Sequence, residues 1–235
     1  MGPLYIETVP TDLFGANAYL VYTQDQPSAL LVDAGVGTAR RVQERLRELG
    51  KRVGAVLLTH GHPDHIWEAA AVAELSGNPE PAPVYLPAPD MVWLSDPMKQ
   101  LGLPDVPGLN QEWVAPAVVT DAPTGSWQVL PGVTVRVVPA PGHSAGSSIM
   151  LIAGDVTIDG EPADAPVAFA GDVVFLGSIG RTDLPGGDDL VMKETLRTLA
   201  AALDPGTVLL PGHGPQTLWA DELRTNPYVL GALER

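Results

Sequence analysis

The chain of 235 residues contains no cysteine, which excludes disulfide bonds, thiolate catalysis and every zinc site built on sulfur. Only three lysines are present, and 28 acidic against 13 basic residues give a formal net charge of −15. Because nucleic acids and anionic membranes bind basic surfaces, we expect neither as a partner. No apolar run approaches the roughly 20 residues of a membrane span, and we expect no signal peptide. These absences favour a cytoplasmic protein with a small-molecule substrate and leave the oligomeric state open.

Residues that can fill a core are plentiful, because 45% of the chain is hydrophobic and 17% is charged. A chain of this length and composition can bury a core of its own, so we expect one domain over residues 1–235. The 25 glycines and 24 prolines predict many turns between short secondary-structure elements.

Histidine is rare but strongly clustered, since three of the five histidines lie in residues 59–65, Thr-His-Gly-His-Pro-Asp-His. The apolar run at residues 53–58 predicts a buried strand before them, and Pro63 suits the start of a helix. The cluster therefore lies where a strand ends and a helix begins, which can bring its side chains into one cleft. Imidazole and carboxylate groups suit zinc, iron and manganese. The candidate metal ligands here are His60, His62, Asp64 and His65.

Three further candidates follow β-type runs later in the chain and lie beside glycine, which permits close approach of the backbone. They are His143, Asp172 and His213, and we expect them at the same edge of a sheet as the cluster. Asp33 ends the apolar run at residues 29–32 and is typical of a carboxylate delivered to a sheet edge.

Hydrophobic periodicity indicates the same order of features in both halves of the chain: a strand, then a candidate site residue, then a helix. It predicts strands at residues 4–9, 19–22, 29–32, 53–58, 84–86, 133–138, 147–152, 167–169 and 208–210, and helices at 38–49, 66–75, 190–203 and within 220–235. Residues 153–166 are typical of an acidic turn. Residues 87–116, rich in proline, aspartate and glycine, are interpreted as a partly helical excursion or lid.

The order of the candidate ligands, His60-x-His62-x-Asp64-His65 followed by His143, Asp172 and His213, resembles the metallo-β-lactamase superfamily over residues 33–213. Residues 180–188 and 211–215 resemble the glyoxalase II-like hydrolases, the hydroxyacylglutathione hydrolase group. The resemblance implies an α/β fold, a four-layer αββα sandwich in which two mixed β-sheets are flanked by helices.

The resemblance also implies two divalent metal ions per chain, with zinc the first expectation and iron or manganese the alternatives. His60, His62 and His143 would hold one ion, Asp64, His65 and His213 the other, and Asp172 would bridge them. Asp64 and Asp172 are the carboxylates expected to act in catalysis. Residues expected to support the site from outside the ligand set are Asp33, Arg181 and Asp183, the last two as an ion pair.

The implied activity is metal-dependent cleavage of a thioester such as S-lactoylglutathione, or a related ester, by a metal-bridging hydroxide. One alternative is a mononuclear iron persulfide dioxygenase, which would use His60, His143 and Asp172. A non-catalytic metal-binding module is a further alternative. After His213 only Arg224 and Arg235 are basic, so we expect no cationic clamp for glutathione, and the thiol carrier stays open.

Overall fold

The structure is a computed structural model that describes residues 2–102 and 112–234. Its strands, numbered along the chain, are β1 (Leu4–Pro10), β2 (Asn17–Thr23), β3 (Ser28–Val32), β4 (Arg52–Leu57), β5 (Val84–Leu86), β6 (Val119–Asp121), β7 (Gly125–Leu130), β8 (Val133–Pro139), β9 (Ser148–Ile152), β10 (Val156–Ile158), β11 (Glu161–Ala163), β12 (Val167–Gly171), β13 (Val174–Phe175), β14 (Ser178–Ile179), β15 (Val208–Pro211) and β16 (Thr217–Leu218). Its α-helices are α1 (Thr38–Leu49), α2 (Pro63–Ile66), α3 (Ala69–Ala73), α4 (Pro97–Gln100), α5 (Asp189–Ala202), α6 (Trp219–Thr225) and α7 (Pro227–Leu233), and 3₁₀ turns cover Glu74–Ser76 and Ala88–Ser95.

Two mixed sheets form the centre of the molecule. The first has the strand order β11-β10-β1-β2-β3-β4-β5-β6, in which β3 to β6 run parallel and β1 to β3 antiparallel. The second has the order β16-β15-β12-β9-β8-β7, with one parallel pair, β12 and β15. A separate hairpin pairs β13 with β14. Among the described residues, no helix has the length and apolar character needed to cross a membrane.

Three apolar clusters separate four layers, and the predicted αββα sandwich is thereby confirmed. One cluster lies between the sheets, where Leu30 and Leu57 of the first meet Phe169 and Leu210 of the second. A second packs α1 and α3 on the outer face of the first sheet. The third packs α5, α6 and α7 on the outer face of the second sheet.

The central strands have apolar residues at nearly every position, because one face packs against the other sheet and the other face packs against helices. In β3, Leu30 and Val32 point into the layer between the sheets, whereas Leu31 packs under the helices. In β12, Phe169 points inward and Ala168 faces the helices of the second sheet. This alternation follows from the two-residue repeat of a strand. It fixes which end residue of each strand reaches the shared edge of the sandwich.

The single helix predicted at residues 66–75 is wrong, because the structure divides this segment. Helix α2 ends at Ile66, and α3 begins only at Ala69. The backbone amide of Glu68 donates to the carbonyl of Ala34, which ties the segment to the end of β3. Periodicity could not reveal this break, because its cause is a contact between residues far apart in the chain.

Two other predicted elements are also corrected. The single helix within residues 220–235 is two helices, because Pro227 lacks an amide hydrogen and Asn226 caps α7 instead. The acidic turn at 153–166 contains the hairpin β10–β11, whose first strand pairs in parallel with β1 and extends the first sheet. Its three-residue strands are too short for a clear alternating pattern.

The segment predicted as an excursion or lid, residues 87–116, is helical in part. It begins with the 3₁₀ turn Ala88–Ser95 and continues into α4. Residues 103–111 of the predicted lid lie outside the described residues. Met98 and Leu101 line the cavity described below, while closure over the site stays a prediction.

Leu30→Ala is expected to lower the free energy of unfolding by about 2–5 kcal/mol, because it leaves a cavity in the layer between the sheets. Urea unfolding followed by circular dichroism measures this loss. Leu190→Ala is the matched control, since Leu190 is 75% exposed. We expect that control to change stability by less than about 0.5 kcal/mol. Equal losses in the two variants would contradict the packing described for Leu30.

Candidate metal centre

The candidate ligands follow strands of both sheets and meet at one edge of the sandwich. His60 to His65 follow β4 of the first sheet, and His62 lies at the N-terminus of α2, as the sequence predicts. Asp172 follows β12 of the second sheet and His213 follows β15. The amide of Asn17 and the carbonyl of Gly212 hydrogen bond across the edge between the sheets.

The first group of ligands consists of His60, His62 and His143, all buried. His62 Nδ1 lies 2.7 Å from His143 Nε2. The ring centre of His60 lies 4.8 Å from that of His62 and 4.9 Å from that of His143. One ligand atom from each ring lies within 4.8 Å of the others, so the three can converge on one ion.

The second group consists of Asp64, His65 and His213. Asp64 Oδ2 lies 3.2 Å from His213 Nε2 and 3.8 Å from His65 Nε2. Asp172 lies between the two groups, because its Oδ2 is 3.5 Å from His143 Nε2 and 3.4 Å from His213 Nε2. Its Oδ1 is 3.3 Å from His65 Nε2. The carboxylate therefore contacts histidines of both groups.

Hydrogen bonds outside the cleft orient three of the rings. Asp33 accepts from Thr59 through both carboxylate oxygens and from His65 Nδ1 at 2.8 Å. Because the Thr59 hydroxyl donates to Asp33, it accepts from His60 Nδ1 at 3.0 Å. His143 Nδ1 donates to the carbonyl of Arg181 at 2.7 Å. Each bond favours a proton on Nδ1, so that Nε2 is the nitrogen of these three rings that a cation in the cleft would meet.

Burial keeps His60 and His62 neutral. It lowers the pKa of His60 well below the usual value. Burial, together with the neighbouring His143, lowers the pKa of His62 to about 3. Both imidazoles are therefore uncharged at physiological pH, which is the form that binds metal ions.

Carboxylates dominate the second group. Burial acts against a charge on His65, yet Asp172, Asp64 and Asp33 together raise the pKa of that ring well above its usual value. Burial also opposes a charge on His213, while hydrogen bonds with Asp172 and Asp64 raise its pKa to about 9. The carboxylates thus favour the protonated forms of His65 and His213. A bound metal cation would displace those protons.

The cleft concentrates buried polar atoms that have no hydrogen-bond partner within residues 2–102 and 112–234. Three of them are His60 Nε2, His65 Nε2 and Asp172 Oδ1. Each unpaired buried group costs about 1–3 kcal/mol. A divalent cation would satisfy such nitrogen and oxygen donors together. The residues present therefore fit a metal ion, and the cluster is a metal-binding site.

Glycine is required where the backbone passes closest to the ligands. A Cβ atom at Gly212 would collide with Asp172 Oδ1 and would lie 2.7 Å from His65 Cε1. A Cβ atom at Gly61 would collide with the ring of Trp93. The Gly-His pairs of the sequence therefore reflect close approach as well as turn formation.

Arg181 and Asp183 form the predicted ion pair at the rim of the cleft. The guanidinium Nε and Nη2 donate to the two carboxylate oxygens at 2.6 and 2.7 Å. Both side chains are largely exposed. Arg181 reaches the ligands through its backbone carbonyl, the acceptor for His143, whereas the described contacts of Asp183 involve no ligand side chain.

A cavity of about 590 Å³ opens beside the cluster. Its volume is typical of a small-molecule site, since such pockets measure about 300–1,000 Å³. Five of the lining residues are apolar: Phe14, Met98, Leu101, Phe175 and Leu184. Met98 and Leu101 belong to the segment predicted as a lid. Sequence reasoning missed the other three as site residues, because they come from three separate segments and follow no common spacing.

Asp90 is a further residue near the site that sequence reasoning missed. It is fully buried beside the cluster, in the 3₁₀ turn that follows β5. Its carboxylate accepts hydrogen bonds from the loops that carry His62 and His143. An isolated aspartate in a proline-rich stretch carries no local signal of such a role.

Comparisons with known proteins agree with this geometry. A sequence model of the metallo-beta-lactamase superfamily matches residues 11–213. The chain is 30% identical over 230 residues to hydroxyacylglutathione hydrolase GloC of Haemophilus influenzae, which covers 95% of this chain and 97% of that relative.

Two solved structures are similar over nearly their whole length. One is the crystal structure of BLEG-1 B3 metallo-beta-lactamase, which is 29% identical in sequence and superposes with a TM-score of 0.75. The match covers 95% of this chain and 99% of that protein's chain. The other is the crystal structure of TTHA1623 in a di-iron-bound form, which is 29% identical in sequence and has a TM-score of 0.71. The match covers 94% of this chain and 98% of that protein's chain.

Asp33→Asn is expected to weaken metal binding by about 10- to 100-fold, because the amide cannot accept from both Thr59 and His65 as the carboxylate does. Competition with a chromophoric chelator for zinc measures this change. Asp183→Asn is the matched control, since its carboxylate binds only the exposed Arg181 side chain among the side chains described. Similar zinc affinities for the two variants would refute a supporting role for Asp33.

Proposed function

Because the chain belongs to the metallo-beta-lactamase superfamily, we propose that it is a metal-dependent hydrolase that cleaves a thioester, with hydroxyacyl thioesters such as S-lactoylglutathione as the first candidates. The observation that carries this proposal is the pair of ligand groups joined by Asp172. The similarity to a hydroxyacylglutathione hydrolase over nearly the whole chain supports the choice of thioester.

We assign two metal positions. His60, His62 and His143 would hold the first ion, Asp64, His65 and His213 the second, and Asp172 would bridge them. Zinc is the proposed metal, with iron or manganese as alternatives, because imidazole and carboxylate ligands accept all three. Two such ions would supply Lewis-acid chemistry, lowering the pKa of water and polarising a substrate carbonyl.

The chain's own residues prepare the site for this chemistry. Thr59, Asp33 and the Arg181 carbonyl keep protons on Nδ1 of three rings, so that Nε2 faces the cleft. Asp64 and Asp172 place two carboxylates at the floor of the cavity, which balances the charge of bound cations. The apolar walls exclude water from around the reacting ester, which strengthens electrostatic interactions within the site. A thiolate is a good leaving group, so no additional general acid is needed.

The cavity walls favour an apolar carrier or acyl group over a highly charged one. The apolar side chains of Phe14, Phe175 and Leu184 line the cavity beside the metal-ligand cluster. The cationic lining residue, Arg181, is already bound by Asp183 through two hydrogen bonds. A substrate carboxylate would therefore compete with Asp183 for the guanidinium. We propose that S-lactoylglutathione is a substrate, and that thioesters of a less negatively charged thiol are hydrolysed more efficiently.

The persulfide dioxygenase alternative needs a single iron at His60, His143 and Asp172. The group Asp64, His65 and His213 lies in the same cleft, within reach of Asp172. A single iron at the first position would leave this second group without a metal, although the presence of these residues does not by itself separate the two reactions. The hydrolase therefore accounts for more of the site. Rapid oxygen consumption with glutathione persulfide would favour the alternative.

His62→Ala is expected to lower kcat/KM for S-lactoylglutathione by more than about 100-fold, because it removes one of three ligands from the first metal position. The absorbance of the thioester at ultraviolet wavelengths follows the hydrolysis directly. The wild-type chain, reconstituted with zinc, should hydrolyse the thioester and contain two metal equivalents.

Every histidine belongs to the cluster, so the matched control for this substitution is the exposed Leu190→Ala. That variant should retain wild-type turnover and metal content. Circular dichroism of His62→Ala should match the wild type. Undiminished hydrolysis in a folded His62→Ala protein would overturn the ligand assignment.

Phe175→Ala is expected to raise KM about tenfold for a thioester with an aromatic carrier, corresponding to roughly 1.4 kcal/mol of lost apolar contact. Phe175 lines the cavity and packs edge-on against His213 at 5.7 Å. Leu176→Ala is the control, because Leu176 is adjacent in sequence but 55% exposed. A KM that rises equally for aromatic and charged carriers would contradict the proposed preference.

A further inference from the structure

Asp90 is a fully buried carboxylate outside the proposed ligand set. It lies in the 3₁₀ turn Ala88–Ser95, immediately after β5 has delivered the chain to the edge of the first sheet. Its backbone amide donates to the carbonyl of Pro87, so the turn itself holds the residue in place. Nothing in the order of ligands along the sequence predicts a function for it.

The two carboxylate oxygens of Asp90 join two loops that carry ligands. Oδ2 accepts from the amide of Gly61 at 2.8 Å, and Gly61 separates His60 from His62. The same oxygen accepts from the hydroxyl of Ser144, the residue after His143, at 2.6 Å. Oδ1 accepts from the amide of Gly146 at 2.6 Å. One side chain therefore connects the loops that supply the first group of ligands.

None of these three donors carries a charge, so the carboxylate is stabilised by hydrogen bonds alone. Loss of the carboxylate would leave the two backbone amides buried without partners, at about 1–3 kcal/mol each, and the Ser144 hydroxyl with Ser147 Oγ as its remaining side-chain partner. The loops would then move to find other partners. Because His62 Nδ1 and His143 Nε2 lie only 2.7 Å apart, a small movement changes whether both reach one ion.

Close packing around Asp90 leaves the loops little freedom while the carboxylate is present. A Cβ atom at Gly146 would lie 2.6 Å from Asp90 Cγ, so the loop approaches the carboxylate as closely as glycine permits. Trp93, from the same 3₁₀ turn, packs against Gly61 and meets the ring of His62 edge-on at 4.8 Å. The turn thus fits between both loops.

Asp33 supports both halves of the site, because its partner Thr59 also holds His60 of the first group. Asp33 hydrogen bonds His65 of the second group directly. The described hydrogen bonds of Asp90 go only to the loops of the first group, at Gly61, Ser144 and Gly146. We propose that Asp90 is a positioning residue that sets the separation of His62 and His143 and so the metal affinity of the first position alone. This inference rests on the proposed pair of metal positions.

The test measures zinc affinity in two backgrounds, each of which keeps one ligand group. His213→Ala removes a ligand of the second group, and His62→Ala removes one of the first. Asp90→Asn is added to each background, and zinc is titrated against a chromophoric chelator. The asparagine keeps the size of the side chain, but its NH₂ group must face one of the three donors.

Asp90→Asn should weaken zinc binding about 10- to 100-fold in the His213→Ala background. It should leave zinc affinity unchanged in the His62→Ala background, a selectivity that general destabilisation of the fold would not produce. Asp121→Asn is the matched control, because Asp121 is exposed and its carboxylate anchors the same turn through the amide of Ala88. That control should leave both affinities unchanged.

Equal losses in the two backgrounds, or no loss in either, would overturn the proposal. If Asp90→Asn does not fold, Ser144→Ala provides the same comparison by removing one of the three donors. Its loss should be about fivefold, equivalent to one hydrogen bond of roughly 1 kcal/mol, and again confined to the His213→Ala background. No loss with Ser144→Ala would then overturn the proposal.

Failure of the proposed function is separable from failure of this inference, because zinc titration requires no substrate. A wild-type chain that binds two zinc ions without hydrolysing any thioester would refute the proposed reaction. The selective effect of Asp90→Asn on zinc affinity would still stand in that case.

Discussion

The convergence of buried histidine and aspartate side chains on one small volume is the constraint on which the remaining structure depends. His62 Nδ1 and His143 Nε2 lie 2.7 Å apart at the ends of elements from different sheets. Several of the converging atoms have no hydrogen-bond partner in the described part of the chain. Such an arrangement costs stability unless a cation occupies it. The sandwich must therefore hold both sheet edges in place, because a small displacement separates the ligands.

Two buried carboxylates maintain that arrangement from outside the ligand groups. Asp33 ends β3 with φ of 60°, a left-handed conformation that aspartate tolerates better than most residues, and there it reaches Thr59 and His65. Asp90 reaches the loops of His62 and His143 from the turn after β5. Both carboxylates come from the first sheet and its connections. The parallel order of β3, β4 and β5 places their carboxyl ends side by side, which explains why these residues surround the cluster.

The ligand positions lie close to where sequence reasoning expected them, because each follows a strand whose apolar pattern is clear. The run at residues 53–58 and Pro63 located the junction of β4 and α2, and the resemblance to the metallo-beta-lactamase superfamily is confirmed. The cavity walls outside the predicted lid were not predictable, because Phe14, Phe175 and Leu184 come from separate segments. The divided helix after Ile66 was missed for a related reason: the contact between Glu68 and Ala34 crosses between elements.

The sequence by itself determined most strands and the chemical types at the site, since strand periodicity, glycine-flanked histidines and ligand order are local patterns. The four layers were expected only from the resemblance to the superfamily. Only the tertiary structure decided which atoms meet. It directed Nε2 of His60, His65 and His143 into the cleft through hydrogen bonds to Thr59, Asp33 and Arg181. It also brought Asp90 between two loops and lined the cavity with apolar side chains. The orientation of the histidine rings and the spacing of the loops depend on hydrogen-bond partners that are mostly distant in sequence. Local sequence patterns cannot reveal those partners.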